Sequence, residues 1–556
     1  MASTQWTPVS CSVTLNFLSA AAVAPLQPYA GTSSIRYQKQ IFPDAEDTDA
    51  AADEESAHFD RTRRRAAETG ALHFHAYTER HALLPPRAVP LALDGVKVVA
   101  VPSGKALAVL SVKETEAEAK HPSAPRAGDK PRGAKAERKK SGKQGAAATE
   151  GPSDAGGAPG AATTQAVGSK FVHFEHEGEL AVGAEVELRI SFRGTVQEAD
   201  VGGIYCRALR DGDTHAAVLL THFEVHLART AFPCPDHPRY RLLWELRGVQ
   251  LPAAFHTVWS NGSLVDARRH AEAATYQFGR VGPLPAYVVA FAAFSGPPVA
   301  EVEAAVTARG CAGAPALTLR VAAAATSQVP RETLVYIQRV AREAVTYVED
   351  YFQSPLPLLG SSELAVLCVP TMPYISGMEH HGCIFLNEDI YRTPSGKGAA
   401  KRNAEAQKVA QTELIIHEII HHWIGNALGL PFAIKEGICL LLEQCLGDVL
   451  LGKPMRKIAP PAGAAVAHKT EEGKEFTGHS YQLALASLQG LIGTVGFATF
   501  RARVRGLLST HLHPVLQEVE EEGGMEVLRL RGTYVRMPYL STEAFLSLLA
   551  ADGKEE

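Results

Sequence analysis

The sequence predicts an α+β multidomain protein, with a strand-rich first half followed by a mainly helical second half. Three observations predict it. Up to about residue 296, short runs alternate apolar and polar residues between Gly, Pro and Asp, the period of half-buried antiparallel strands. Beyond that point apolar residues recur every three or four positions, as at Leu334, Ile337, Val340, Ala344, Val348 and Phe352, the spacing of one helical face. Finally, 556 residues, 46% of them hydrophobic, suffice for more than one core at roughly 100–200 residues per domain. The boundary is therefore placed between 1–296 and 297–556.

In the first part, residues 185–192 (EVELRISF) alternate strictly and end at Arg193-Gly194, and residues 217–220 and 240–246 are further strands. Two segments are expected to be disordered insertions, near 44–66 and 113–169. The first runs acidic and then basic; the second is rich in Lys, Ala, Gly and Pro with no aromatic, Leu or Ile. Neither composition buries enough surface to offset chain entropy. In the second part the pattern predicts helices over 331–352, 404–428, 436–451, 481–491 and 497–508, with a strand over 363–369.

Composition excludes several function classes. Lys+Arg 55 against Asp+Glu 60 gives a net charge of −5, so nucleic acid is not an expected partner. The basic stretch 120–143 is read as a solvated loop. No run of about 18 apolar residues exists, so no membrane-spanning helix is expected. The first basic residue is Arg36, which argues against a secretory leader. Eight cysteines without a close pair argue against a zinc ribbon and a disulfide framework and fit a reducing, cytoplasmic setting.

The strongest chemical signal is His417-Glu418-Ile419-Ile420-His421, inside a predicted helix. Histidines at i and i+4 share one helical face and can bind one zinc, and the Glu between them can act as a base toward a water. A catalytic zinc takes three protein ligands. Glu436, at the expected start of the next helix, could return the third. Glu443, seven residues on, could accept the spare N–H of a ligating histidine or could be a partly exposed helix residue.

With these residues in view, the sequence resembles the zinc aminopeptidases of peptidase family M1, the gluzincins, and most nearly the branch of leukotriene-A hydrolase and aminopeptidase B. HEIIHHWIGN (417–426) is similar to the family's HExxHxWxGN helix, and KEGICLLLEQ (435–444) to its NEG…LE helix. PTMPYISGMEHHG (370–382) is similar to its G-G/A-M-E-N segment, THFEVHLARTAFPCPDHP (221–238) to an N-terminal-domain block, and GHSYQLALASL (478–488) to its tyrosine helix. The resemblance implies a saddle-like β-rich N-terminal domain and a thermolysin-like catalytic domain. It implies zinc held by His417, His421 and Glu436, with Glu418 as base and Tyr481 as donor to the oxyanion. Glu379, helped by Glu224, would bind the free α-ammonium of a peptide, and Gly377 and Met378 would line its backbone. The expected activity is removal of N-terminal residues from peptides.

The sequence departs from the family in places. Fourteen residues separate His421 from Glu436, four fewer than usual. His380 replaces the Asn of the G-A-M-E-N pattern, and His222 replaces a Gln. Gln-Leu-Ala follows Tyr481 in place of Glu-Lys-Gly. The sequence ends soon after 497–508, where members usually continue into a helical C-terminal domain, so a partner covering an open cleft is an expectation. These departures leave a rival reading: a catalytically weak or inactive aminopeptidase-shaped scaffold.

Overall fold

A computed structural model describes residues 3–17, 27–42, 71–78, 87–114, 169–175, 180–211, 214–295, 300–306, 317–324, 329–372, 375–391, 400–456, 478–512, 520–522, 525–527 and 539–550. The expected insertion near 44–66 lies outside the described residues, as does 113–169 apart from its ends.

Among the described residues the first part forms a large sheet of eleven strands and a smaller one of four. At the centre of the large sheet, Ser3–Asn16 lies between Pro28–Phe42, antiparallel, and Leu242–Pro252, parallel. The alternating segment becomes the strand Glu185–Thr195, whose residues alternate strictly between buried and more exposed. Val186, Leu188, Ile190 and Phe192 point into the core. The smaller sheet has four strands: Phe255–Ser260, Phe291–Ser295, Thr214–His222 and Gly203–Asp211. Its strand Thr214–His222 runs directly into residues 223–241, which carry Glu224.

From Ala300 a separate five-stranded sheet begins, in the order Ala300–Val306, Leu317–Ala323, Glu363–Val369, Cys383–Asn387 and Gly377–Met378. Its parallel pairs, Leu317–Ala323 with Glu363–Val369 and that strand with Cys383–Asn387, are joined by long connections, as parallel pairing requires. The first connection contains helix α1 (Arg331–Phe352), which buries the predicted stripe from Leu334 to Phe352. Helices α2 (Ala400–Ile420), α3 (Phe432–Leu450), α4 (Gly478–Val495), α5 (Phe497–Leu512) and α6 (Thr542–Ala550) follow. One contiguous apolar cluster links both sheet systems and the helices. Among the described residues no single helix is long and apolar enough to cross a membrane.

Two helix boundaries differ from the sequence pattern. The helix expected over 404–428 ends at Ile420, and residues 421–430 fold as turns. Tertiary bonds take this segment off the helical path. His422 Nε2 accepts from the Gly382 N–H, Trp423 Nε1–H donates to the Ser354 carbonyl, and the Asn426 amide donates to the Glu379 carbonyl. The Arg241 guanidinium donates to the carbonyls of Gly425 and Ala427, and Gly425 takes φ +108°, a left-handed conformation that favours glycine. The next helix starts at Phe432 rather than at Glu436, behind Pro431, whose fixed φ suits a helix start.

Candidate metal centre and the adjoining carboxylate pocket

The end of α2 and the second turn of α3 meet at a buried polar cluster. His417 lies in the last turn of α2 and His421 one residue past its end, with the His421 N–H still bonded to the His417 carbonyl. Their imidazoles therefore keep the i, i+4 relation, and their Nε2 atoms are 2.9 Å apart. Glu436 Oε2 lies 3.1 Å from His417 Nε2 and 3.6 Å from His421 Nε2. One donor atom from each of the three residues falls within 4.8 Å of the others, and all three residues are buried.

The outer partners fix what these atoms can do. His417 Nδ1 meets Glu443 Oε2 at 2.6 Å, and His421 Nδ1 meets the Ile424 carbonyl at 3.0 Å. Both partners are acceptors, so both Nδ1 atoms carry the proton, and when the rings are neutral their Nε2 lone pairs face inward. In that state two imidazole lone pairs and a carboxylate converge, a donor set suited to zinc and to other divalent transition metals. Burial works to lower the His417 imidazole, but the carboxylates of Glu443 and Glu436 raise it well above its ordinary value. The pocket favours positive charge there.

Glu418 lies beside this set with Oε2 buried and without a hydrogen-bond partner. Burial, reinforced by Glu379 and Glu436 and opposed by His417, raises its carboxyl well above the usual range. Gly377 covers it: a Cβ on Gly377 would sit 2.2 Å from Glu418 Oε1. Gly377 and Met378 form the edge strand of the five-stranded sheet, and the Met378 side chain is buried in the core. Only the backbone of Met378 is left to meet a ligand.

Tyr481 reaches the same region from α4. A Cβ on Gly437 would meet the Ala484 carbonyl at 2.7 Å, so this glycine lets α4 approach α3. The Tyr481 ring packs on Phe432 at 5.5 Å. Burial, with Glu436 and Glu224, raises its hydroxyl well above the ordinary value, which keeps it a donor.

Glu224 and Glu379 also come together, although 155 positions apart in sequence by their numbers. Between them stands Lys435, with Nζ 2.7 Å from Glu224 Oε1, 2.7 Å from Glu379 Oε1 and 3.1 Å from Glu436 Oε1. Burial raises both carboxyls; the Lys435 ammonium outweighs it at Glu379, which is held below the usual range. At Glu224, burial together with the Glu379 charge prevails. His222 and His380 flank the pair, held by burial near 4 and near 3. Sequence reasoning missed Lys435, although Lys435-Glu436-Gly437 in place of Asn-Glu-Gly was a visible signal. It also missed Arg229, whose guanidinium is buried against Asp236 at 2.8 Å and braces the loop that carries Glu224.

Residues 160–288 match the Peptidase M1 N-terminal domain, and residues 336–446 match the Peptidase family M1 domain. Both matched regions are thus similar to domains of peptidase family M1. The second match spans every residue of the metal cluster. Similar proteins include Aminopeptidase N of Lactococcus lactis subsp. lactis, 26% identical over 45% of this chain and 27% of that protein. Leucyl aminopeptidase of Saccharolobus solfataricus is 23% identical over 44% of this chain and 27% of its own length. Probable aminopeptidase 1 of Sulfurisphaera tokodaii is 26% identical over 52% and 33%. The matches thus span about a quarter to a third of the length of these relatives.

Proposed function

We propose that this chain is a zinc-dependent peptidase of the aminopeptidase type, acting on peptides in the cytoplasm, and that its nearest branch is that of leukotriene-A hydrolase and aminopeptidase B. The observation that carries the reading is the inward convergence of His417 Nε2, His421 Nε2 and Glu436 Oε2 beside a buried, unpartnered Glu418 oxygen. His417, His421 and Glu436 would hold one zinc, which when bound supplies Lewis acidity toward a carbonyl and lowers the pKa of a water to about 7. Glu418, more basic than a free carboxylate, takes the proton of the attacking water and hands it to the leaving amine. Tyr481, kept protonated, donates to the oxyanion, a bond that is strongest in the transition state. Glu443 fixes the tautomer of His417. The edge strand Gly377–Met378 offers backbone groups to an extended peptide, the mode of strand addition. The saddle-like and thermolysin-like shapes, a domain division at 296/297 and a partner covering the cleft belong to the same reading.

The test combines metal analysis with aminoacyl-fluorophore and short-peptide assays. About one zinc per chain is expected, with hydrolysis that a chelator abolishes. Glu418→Gln should keep the zinc and lose roughly 10²–10⁴-fold in rate, the usual contribution of one positioned base. Equal, chelator-insensitive rates in wild type and variant would remove the proposal. Lys435 favours the second reading, a catalytically weak scaffold, because it fills the carboxylate pair that a substrate amine would use. A chain that takes up no zinc would support that reading.

A further inference from the structure

Resting on the peptidase reading above, we propose that Lys435 is a built-in occupant of the amine subsite, so that the site takes peptide segments whose corresponding nitrogen is an uncharged amide. In this reading Glu224 and Glu379 do not select for a substrate amine: both are already engaged by an ammonium from within the chain. The ammonium lies 2.7 Å from an oxygen of each, and Lys435, Glu224 and Glu379 are all buried.

The lysine is housed rather than merely present. Gly425, at φ +108°, has no Cβ; one there would sit 2.8 Å from Lys435 Cδ and 3.1 Å from its Cγ. The absent side chain is the space the lysine stem fills. The Tyr287 ring faces the ammonium at 4.9 Å and the Phe432 ring at 5.9 Å, within or near cation–π range. Arg241 holds the Gly425–Ala427 turn in place through two carbonyls, and Asn426 ties it to the Glu379 backbone. Two carboxylates, an aromatic face, a glycine gap and a braced turn thus form one socket around one ammonium.

A second ammonium cannot share that socket. A peptide's α-ammonium would lie within a few ångströms of Lys435 in a low-dielectric setting, where like charges repel strongly. A segment whose nitrogen is acylated, or is an internal peptide N–H, meets no such repulsion. The lysine therefore removes the register signal that a free amine gives, and leaves N-blocked or internal segments as the ligands that fit.

Binding of three probes to the full chain, measured by calorimetry, tests this: leucinamide, N-acetyl-leucinamide and acetyl-alanyl-leucinamide. In wild type the two uncharged probes should bind at least as tightly as leucinamide. The two differ in whether an acyl cap or a preceding residue is preferred. In Lys435→Asn the order should reverse, with leucinamide favoured by at least about tenfold, the worth of a charge-assisted hydrogen bond. A wild type that prefers leucinamide tenfold, a variant that gains nothing for it, or no binding of any probe to either protein would overturn the proposal. If the variant does not fold, the wild-type ratio decides alone. Zinc content measured in parallel separates the two readings. An amine-selective wild type with one zinc sinks the lysine assignment and leaves the peptidase; an amine-blind chain without zinc does the reverse.

Discussion

The two corners of this site are built from neighbouring residues and draw their main counter-charge from different sources. At Glu436, Oε2 and two imidazoles face one another and the cation they require must come from solution, while the other oxygen, Oε1, meets the Lys435 ammonium at 3.1 Å. At Lys435, one residue earlier on the same helix, two carboxylates face one another and the cation comes from the chain. Successive helix residues point about 100° apart, so α3 can aim an anion into one pocket and a cation into the next. The difference teaches that convergence of acidic groups alone does not define a ligand site. What matters is whether the fold supplies the counter-charge.

The largest expected effect would break that comparison. Glu436→Gln should abolish zinc binding while leaving the Lys435 contacts to Glu224 and Glu379 in place; metal analysis paired with probe binding would show it, and retained zinc would contradict the ligand assignment. A second effect concerns the block that brings Glu224 to the site. Burial, aided by the guanidinium groups of Arg229 and Arg239, lowers His73 to about 3 and holds His75, His226 and His237 well below the ordinary value. These rings are neutral in the folded chain and take up protons on unfolding below about pH 6.5. Their contribution is thus intact above that pH and is lost as the pH falls, by about 1.4 kcal/mol per pH unit per ring. Denaturant midpoints at pH 7.5, 6.0 and 5.0 should fall in that order, whereas a flat series would contradict it. The smallest effect sharpens the metal corner. Gly377→Ala places a Cβ 2.2 Å from Glu418 Oε1, and overpacking of this kind costs roughly 1–3 kcal/mol. Zinc content should hold while the hydrolytic rate falls about tenfold or more, as expected for a displaced base.

Much of this was legible beforehand, and the failures have causes. Helix α1 matches the span its apolar spacing predicts, because its stripe is buried along its whole length. The strand Glu363–Val369 follows from a buried apolar run for the same reason. The helix through 421–428 was over-read because nothing local breaks it before Gly425; bonds from Arg241, Gly382, Ser354 and Glu379 do. Met378, expected to line a peptide, buries its side chain in the core and leaves its backbone on the edge of the five-stranded sheet.

The sequence by itself determined the chemistry that depends on near neighbours. Two imidazoles one turn apart, a carboxylate between them and a second helix carrying Glu436 and Glu443 are set by helical period, which needs no knowledge of the rest of the chain. Only the tertiary structure decided what meets Glu224 and Glu379. Their partner lies 211 and 56 positions away, across two sheets and a turn, and no local periodicity encodes a contact of that range. The lysine took the place of a ligand because folding brought its ammonium, stem-first past a glycine, to two carboxylates that burial would not leave unbalanced.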